Sequence, residues 1–386
     1  MKIIYITNAR LPTEKAHGLA TMKICEAFAK MGYDVEIIAP RRINKINSDP
    51  FDYYAVSRIF KIKKIPSLDL LIQAPFFHRA IFDIQIFSFS IAALFYIFLK
   101  RRDLLKNAVF LSHDHIPLFF LSFFARNIFY DIHDFPKKNF LYRRVISKSK
   151  GLTCQNQWKI RALEENFGVF PARVCAWPNG TDIAEFASEI SKKEAREKLS
   201  LEQNWKYIIY IGHFYSWKGV DTLIASSEFL KDKFAKIILV GGTEQESLKL
   251  KDQSLKLGLN NIIFAGFRPR REILLWLKAA DVLVLPNTAK EDISKFYTSP
   301  MKLFEYMASK RPIVASRIPS ITEILNEENS FLAEPDNPQN FAENFEKAFA
   351  DENFADSLAR RAFQDVQKYS WDQRATNIIG FIYQFL

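Results

Sequence analysis

Glycine is scarce, with 12 in 386 residues, and no G-x-G-x-x-G run occurs in either half. That absence argues against a dinucleotide-binding turn, whose glycines let the backbone approach a pyrophosphate, and so against a nicotinamide-dependent dehydrogenase. Cysteine is scarcer: Cys25, Cys154 and Cys175 have neither metal-ligand nor disulfide spacing, which points to a reducing compartment. No secretory leader is expected, because the chain opens on the strand-like run KIIYIT. No nucleic-acid module and no base-stacking aromatic motif is present, so nucleic acid ranks last among anionic partners.

What is present is apolar and unevenly charged. The length suits two domains, and 48% of the residues are hydrophobic, 36 of them Phe. Residues 1–180 hold 27 Lys+Arg against 14 Asp+Glu, or +13; residues 181–386 hold 27 against 29, or −2. A basic, aromatic-rich first half calls for an anionic partner, either a phosphorylated substrate or a membrane surface.

Short continuous apolar runs alternate with helical patterns along the whole chain. KIIYIT (2–7), DVEIIAP (34–40), NAVFLSHDH (107–115), NIFYDIHD (127–134) and LTCQNQ (152–157) predict strands buried on both faces. Residues 41–70 read as a basic, irregular or β-rich insert. The run at 80–99 is the one stretch with the length of a membrane span, and Lys100, Arg101 and Arg102 follow it. Asp83 and Gln85 are costly in lipid, so a helix buried against the sheet is the preferred reading; a helix seated at a membrane surface and, last, a spanning helix are the alternatives. The turn Pro178–Asp182 and the polar helix at 190–199 mark the domain boundary, giving domains at 1–182 and 183–370. The second half repeats the pattern, with strands at 207–212, 236–241, 261–266, 281–286, 312–316 and 330–334, and three closing helices from about 338, 354 and 371. The fold class is α/β, with two doubly wound parallel sheets.

Candidate site residues lie where strands end. His17 and Gly18 stand at the entrance of the first helix, where Gly18 either caps the helix or lets a phosphate or sugar approach. His133 ends a strand, the place where such sheets meet ligands. Lys218 precedes Gly219 after the strand YIIYIG and suits a diphosphate. Ser299, Pro300 and Met301 open a helix whose first N–H groups face outward, and Glu305 lies within it, placed for the hydroxyls of a sugar or ribose.

These residues resemble glycosyltransferase family 4 over nearly the whole chain. The likeness rests on ARLPTEKAHG near the start, IHD at 132–134, PNGTD at 178–182, Gly212 with Lys218-Gly219, SPMKLFEYMASKRPIVAS at 299–316, and YSW at 369–371. It implies the GT-B fold: two Rossmann-like domains facing a cleft, acceptor on the first, nucleotide sugar on the second, and a last helix (371–386) crossing back to the first. It implies retaining transfer from a nucleoside-diphosphate sugar to a glycan or lipid-linked acceptor, with no obligatory metal or other cofactor. By this resemblance Lys218 neutralises the donor diphosphate, Glu305 holds the ribose, the backbone of Ser299, Pro300 and Met301 holds phosphate, Gly18 lies against the donor phosphate, and His133 contacts the transferred sugar. His17 falls on the acceptor side.

Two positions depart from the family pattern. Tyr297 stands eight residues before Glu305, where the family has its first Glu, and His213 replaces the usual Arg. His213 then shares the diphosphate with Lys302 or Arg268. An impaired, binding-only homologue and a nucleotide-sugar epimerase are the competing readings. The expected setting is cytoplasmic and peripheral to an anionic membrane through the basic first half, in surface polysaccharide or glycoconjugate synthesis.

Overall fold

The computed structural model describes residues 1–70 and 78–386. The chain forms two compact units, Met1–Gly180 with Trp371–Leu386, and Thr181–Ser370. Each is a parallel sheet between helical layers.

The first unit has seven strands: β1 (Lys2–Ile6), β2 (Asp34–Arg41), β3 (Lys61–Pro66), β4 (Ala108–Ser112), β5 (Asn127–Ile132), β6 (Gly151–Cys154) and β7 (Val174–Ala176), in the order β3-β2-β1-β4-β5-β6-β7. The chain winds outward from β1 to β3, then restarts at β4 on the other side of β1. Register is set by buried aliphatics, with Ile3 beside Val35 and Val109. The basic insert contributes the edge strand β3. Its Lys61 and Lys63 are exposed, which guards the edge against pairing with another chain. On one sheet face Ile4, Ile38, Phe110 and Tyr130 pack with Phe89, Ala93 and Ile97 of the helix His78–Lys100. On the other, the helix Ala16–Lys30 lies against the chain's last helix, Trp371–Tyr383.

The second unit has β8 (Lys206–Ile211), β9 (Ala235–Val240), β10 (Ile262–Gly266), β11 (Val282–Leu285), β12 (Ile313–Ser316) and β13 (Phe331–Ala333), ordered β10-β9-β8-β11-β12-β13. Alternation along β8 divides its side chains between two layers. Tyr207, Ile209 and Ile211 meet Leu303, Phe304 and Met307, while Ile208 and Tyr210 meet Leu223, Phe341 and Phe345. Strand order reverses between β8 and β11, so the loops leaving those two strands flank a crevice at the carboxyl edge.

The helix at 80–99 is only half a core helix. Phe89, Ala93 and Ile97 are sealed in, whereas Ile91, Phe95 and Leu99 are exposed.

Candidate functional site

In the second unit the two loops at the switch point are locked together. After β8 the chain turns through Gly212, makes a short 3-10 turn at Ser216–Lys218, and enters the helix Val220–Ser226 through Gly219, whose φ is 66°. A Cβ at Gly219 would lie 1.9 Å from the Pro286 carbonyl oxygen, so only glycine lets the β8 and β11 loops approach this closely. Ser216 Oγ donates to Glu291 Oε1 at 2.9 Å across the same junction. The β11 loop then runs through a π-helical turn, Ile293–Tyr297, into the helix Met301–Ala308, whose N-terminal residue Pro300 offers no side-chain cap.

Two buried ammonium groups converge there. Lys218 is buried, with Nζ 3.7 Å from the Trp217 ring centroid. Lys302 Nζ sits 3.7 Å from the Tyr210 ring centroid, buried and without a hydrogen-bond partner among the described residues. A Cβ at Gly212 would come within 2.7 Å of that nitrogen, so this glycine makes room for the lysine. Among the described residues neither lysine forms an ion pair. Burial pushes Lys218 down to about 7. Burial, reinforced by the charge of Lys218, pushes Lys302 well below its ordinary value, with Glu305 opposing. Burial drives both lysines toward the neutral amine, and an entering polyanion supplies the counter-charge that favours their protonated forms. Binding should therefore take up protons. At pH 8 roughly a tenth of Lys218 is charged in the empty site, and an anion that restores its ordinary range recruits up to about one proton. Titration calorimetry of pyrophosphate in two buffers of different ionisation enthalpy reads that uptake, and affinity should fall from pH 6 to 9.

Glu305 is held from one side. Arg270 Nη1 donates to its Oε1 at 3.2 Å while Nη2 reaches Glu185 Oε2 at 2.9 Å. Its two carboxylate partners raise the Arg270 guanidinium's affinity for its proton, although burial opposes them. Arg268 lies in the loop before the helix Arg270–Ala279 and faces Glu272 at 3.9 Å, whereas Lys302 lies beside Gly212 of the β8 loop. His213 stacks on Tyr215 with centroids 5.0 Å apart and planes 6° apart, and its carbonyl accepts from Tyr210 Oη at 2.7 Å.

The first unit gathers three imidazoles at its own switch point, between β1 and β4. His113, following β4, stacks on His133, following β5, at 4.9 Å and 20°; His17 lies 5.9 Å from His113. The Tyr5 hydroxyl and His113 Nδ1 share a hydrogen bond at 3.1 Å, and His113 Nε2 lies 3.5 Å from Asp114 Oδ2. Burial lowers both His17, to about 4, and His113; the charge of His113 adds to the first and that of His133 to the second, while Asp114 opposes in both. His133 is anchored differently, its Nε2–H donating to Asp131 Oδ2 at 2.9 Å. Burial alone would raise the Asp131 carboxyl, but the charges of His133 and Arg374 overcome it and hold it well below the usual carboxylate range. Arg374 in the last helix reaches Asp131 Oδ1 at 3.2 Å and also donates to the carbonyls of Trp177 and Pro178, which pins the turn before Asn179. Gly18 has a packing reason of its own. Its N–H donates to the Lys15 carbonyl at 3.0 Å, and a Cβ would stand 2.3 Å from Tyr54 Oη. That amide is engaged within the turn.

The structure thus groups Lys218, Lys302, Glu305, His213 and the Ser299–Met301 entrance in the second unit, and His17 and His133 in the first. Sequence reasoning missed His113, Arg270 and Arg374. His113 ends a strand as His133 does, and that rule applied evenly would have found it. The two arginines contribute through partners distant in sequence and leave no local signal.

The sequence matches the profile described as "Glycosyltransferase Family 4" over residues 20–185 and that described as "Glycosyl transferases group 1" over residues 191–365. The chain belongs to the family 4 glycosyltransferases. It is 28% identical over 209 residues to an uncharacterized glycosyltransferase of Methanocaldococcus jannaschii, covering 52% of each chain. Against a D-inositol 3-phosphate glycosyltransferase of Corynebacterium urealyticum it is 23% identical over 249 residues, 61% of this chain and 57% of that one. The matches thus span somewhat over half the length of these relatives. Anabaena HepE, solved with UDP, superposes with a TM-score of 0.75 over 100% of both chains at 17% identity. That likeness shows the fold, and the family 4 chain has the GT-B fold of two Rossmann-like domains.

Proposed function

We propose that this family 4 chain is a retaining glycosyltransferase that moves a sugar from a nucleoside-diphosphate sugar to a glycan or lipid-linked acceptor. The observation that carries the reading is the pair Lys218 and Lys302, two buried lysine side chains that form no ion pair among the described residues, at the switch point of the second sheet. Charge develops on the leaving diphosphate as the glycosidic bond breaks. Lysines fixed in a water-poor site and protonated as the diphosphate enters stabilise that charge with little reorganisation, and in this reading they take the part a metal would play. The Ser299–Met301 backbone adds N–H groups, and Glu305, oriented by Arg270, accepts from the ribose hydroxyls. In this reading the first unit holds the acceptor, with His17 on that side, and His133, fixed in one tautomer by Asp131, hydrogen-bonds the transferred sugar. HepE has been solved with UDP-glucose, so uridine nucleotides are the first donors to try. A role in surface polysaccharide or glycoconjugate synthesis on the cytoplasmic side fits the three unpaired cysteines.

Tyr297 and His213 motivate the binding-only reading. Lys302 weighs against it, because it places a second lysine at the loop where His213 replaces Arg. The test is release of nucleoside diphosphate from a donor panel with and without glycan or polyprenyl-linked acceptors, the product anomer being read by proton NMR. Acceptor-dependent release with the donor's anomeric configuration is expected. Interconversion of donor sugars without acceptor would establish an epimerase, and donor binding without turnover the impaired homologue.

A further inference from the structure

The helix His78–Lys100 carries two apolar stripes. Ile86, Phe89, Ala93 and Ile97 face the core of the first unit. Ile84, Phe87, Ile91, Phe95 and Leu99 recur at the same spacing on the opposite side and are exposed, Phe95 at 61% and Leu99 at 80%. At 1.5 Å per residue this outward stripe is about 22 Å long. A surface helix of a water-soluble domain ordinarily places charged and polar groups there. The aromatic surface widens onto the helix His115–Leu121 and the turn after it. Phe87 meets Phe120 edge-on at 5.9 Å, Phe98 meets Phe124 at 4.9 Å, and Phe123 and Phe124 are exposed.

The rim of this surface is cationic. Arg144 lies 3.6 Å over Phe123, Arg102 5.7 Å over Phe98, and Lys63 of β3 5.5 Å over Tyr96. A cleft of about 440 Å³ beside Phe140 is lined by Arg143, Arg144 and Arg173. Lys100 and Arg102 close the end of the stripe, and the one acidic residue in the helix, Asp83, precedes it. Apolar side chains ringed by lysine and arginine match the acyl boundary and anionic headgroups of a bilayer leaflet.

We propose that this face docks the chain on an anionic lipid surface, the helix lying in the plane of the interface with its outward stripe at the acyl boundary. Spanning is incompatible with the inner stripe, which is sealed into the unit's own core. A second copy of the chain is a poor occupant, because a two-fold pairing through this face would set one cationic rim against the other. The docking goes beyond the transfer reaction and does not depend on it.

The test is co-sedimentation of the full chain with phosphatidylcholine vesicles, with and without about 30% phosphatidylglycerol, at low and high salt. Light scattering reports oligomeric state, and stabilisation by uridine diphosphate reports the nucleotide site. Binding to the anionic vesicles is expected, weakened by salt. It should fall about tenfold in the pair Phe95→Ser/Leu99→Ser and again in Lys100→Glu/Arg102→Glu, both retaining the nucleotide response. Should the serine pair fold poorly, the charge pair carries the test. Failure of the native chain to pellet with anionic vesicles overturns the proposal. So does native-like binding by both pairs, or a dimer that Phe95→Ser/Leu99→Ser dissociates. Vesicle binding without a nucleotide response would remove the transfer reading and leave this one, and the converse result would do the opposite.

Discussion

Replacing Lys218 by alanine is expected to lower turnover by about 10²–10³-fold, the loss typical of one preorganised group acting on developing charge. The reason is placement more than charge. Lys218 sits on a loop whose path is fixed by Gly219 against Pro286, so its ammonium is held where solvent is excluded. Lys302→Met separates binding from folding. A lysine held below its ordinary value costs stability at every pH below its unfolded value near 10, because the unfolded chain binds a proton that the folded chain does not hold. Methionine keeps the length and removes that cost, so the empty protein should gain about 1–3 kcal/mol near neutral pH, a gain that shrinks as pH approaches 10. The same variant should bind nucleoside diphosphate more weakly. Urea unfolding and nucleotide titration of one preparation read both quantities. Lower stability in Lys302→Met would make the lysine a structural group.

Arg374→Leu should damage the first unit rather than the second. Its guanidinium is buried and serves three acceptors, the Asp131 carboxylate and the Trp177 and Pro178 carbonyls. Removing it leaves a buried carboxylate without its guanidinium partner, a change worth about 3–5 kcal/mol. For a unit of this size that lowers its thermal midpoint by roughly 10 °C. Lysine at this position should rescue little, having no planar fork to reach all three. The pH dependence supplies a second readout. Asp131 is depressed in the folded chain, so its contribution is present above about pH 4 and is lost as pH falls below it. Without Arg374 the folded value lies closer to the unfolded one, so the contribution is smaller and its loss is complete at a higher pH, and Asp131→Asn in the same chain should restore part of the stability at neutral pH.

The alternation of strands and helices was legible because parallel strands buried on both faces leave continuous runs such as KIIYIT and YIIYIG. Site residues that follow strands were legible for the same reason, since strand ends mark the ligand edge. The helix at 80–99 resisted the same reading. Its inner and outer stripes are both apolar, so periodicity carries no contrast, and only the packed unit shows which half is covered. Gly18 is ambiguous in another way, because a glycine at a helix entrance fits both ligand approach and a crowded neighbour, and the Tyr54 hydroxyl supplies the second reason here. Arg270 and Arg374 lie 35 and 243 residues from the carboxylates they hold, separations that no local pattern encodes.

The most direct measurement is the unfolding midpoint of the native chain across a panel of nucleoside diphosphates and their sugar conjugates. At one hundred times its dissociation constant, a true donor nucleotide should add about 2.7 kcal/mol, and the increment should vanish for the free nucleoside. An unchanged midpoint with every nucleoside diphosphate, in a protein that is otherwise folded, would contradict the assignment of Lys218 and Lys302 as a diphosphate site.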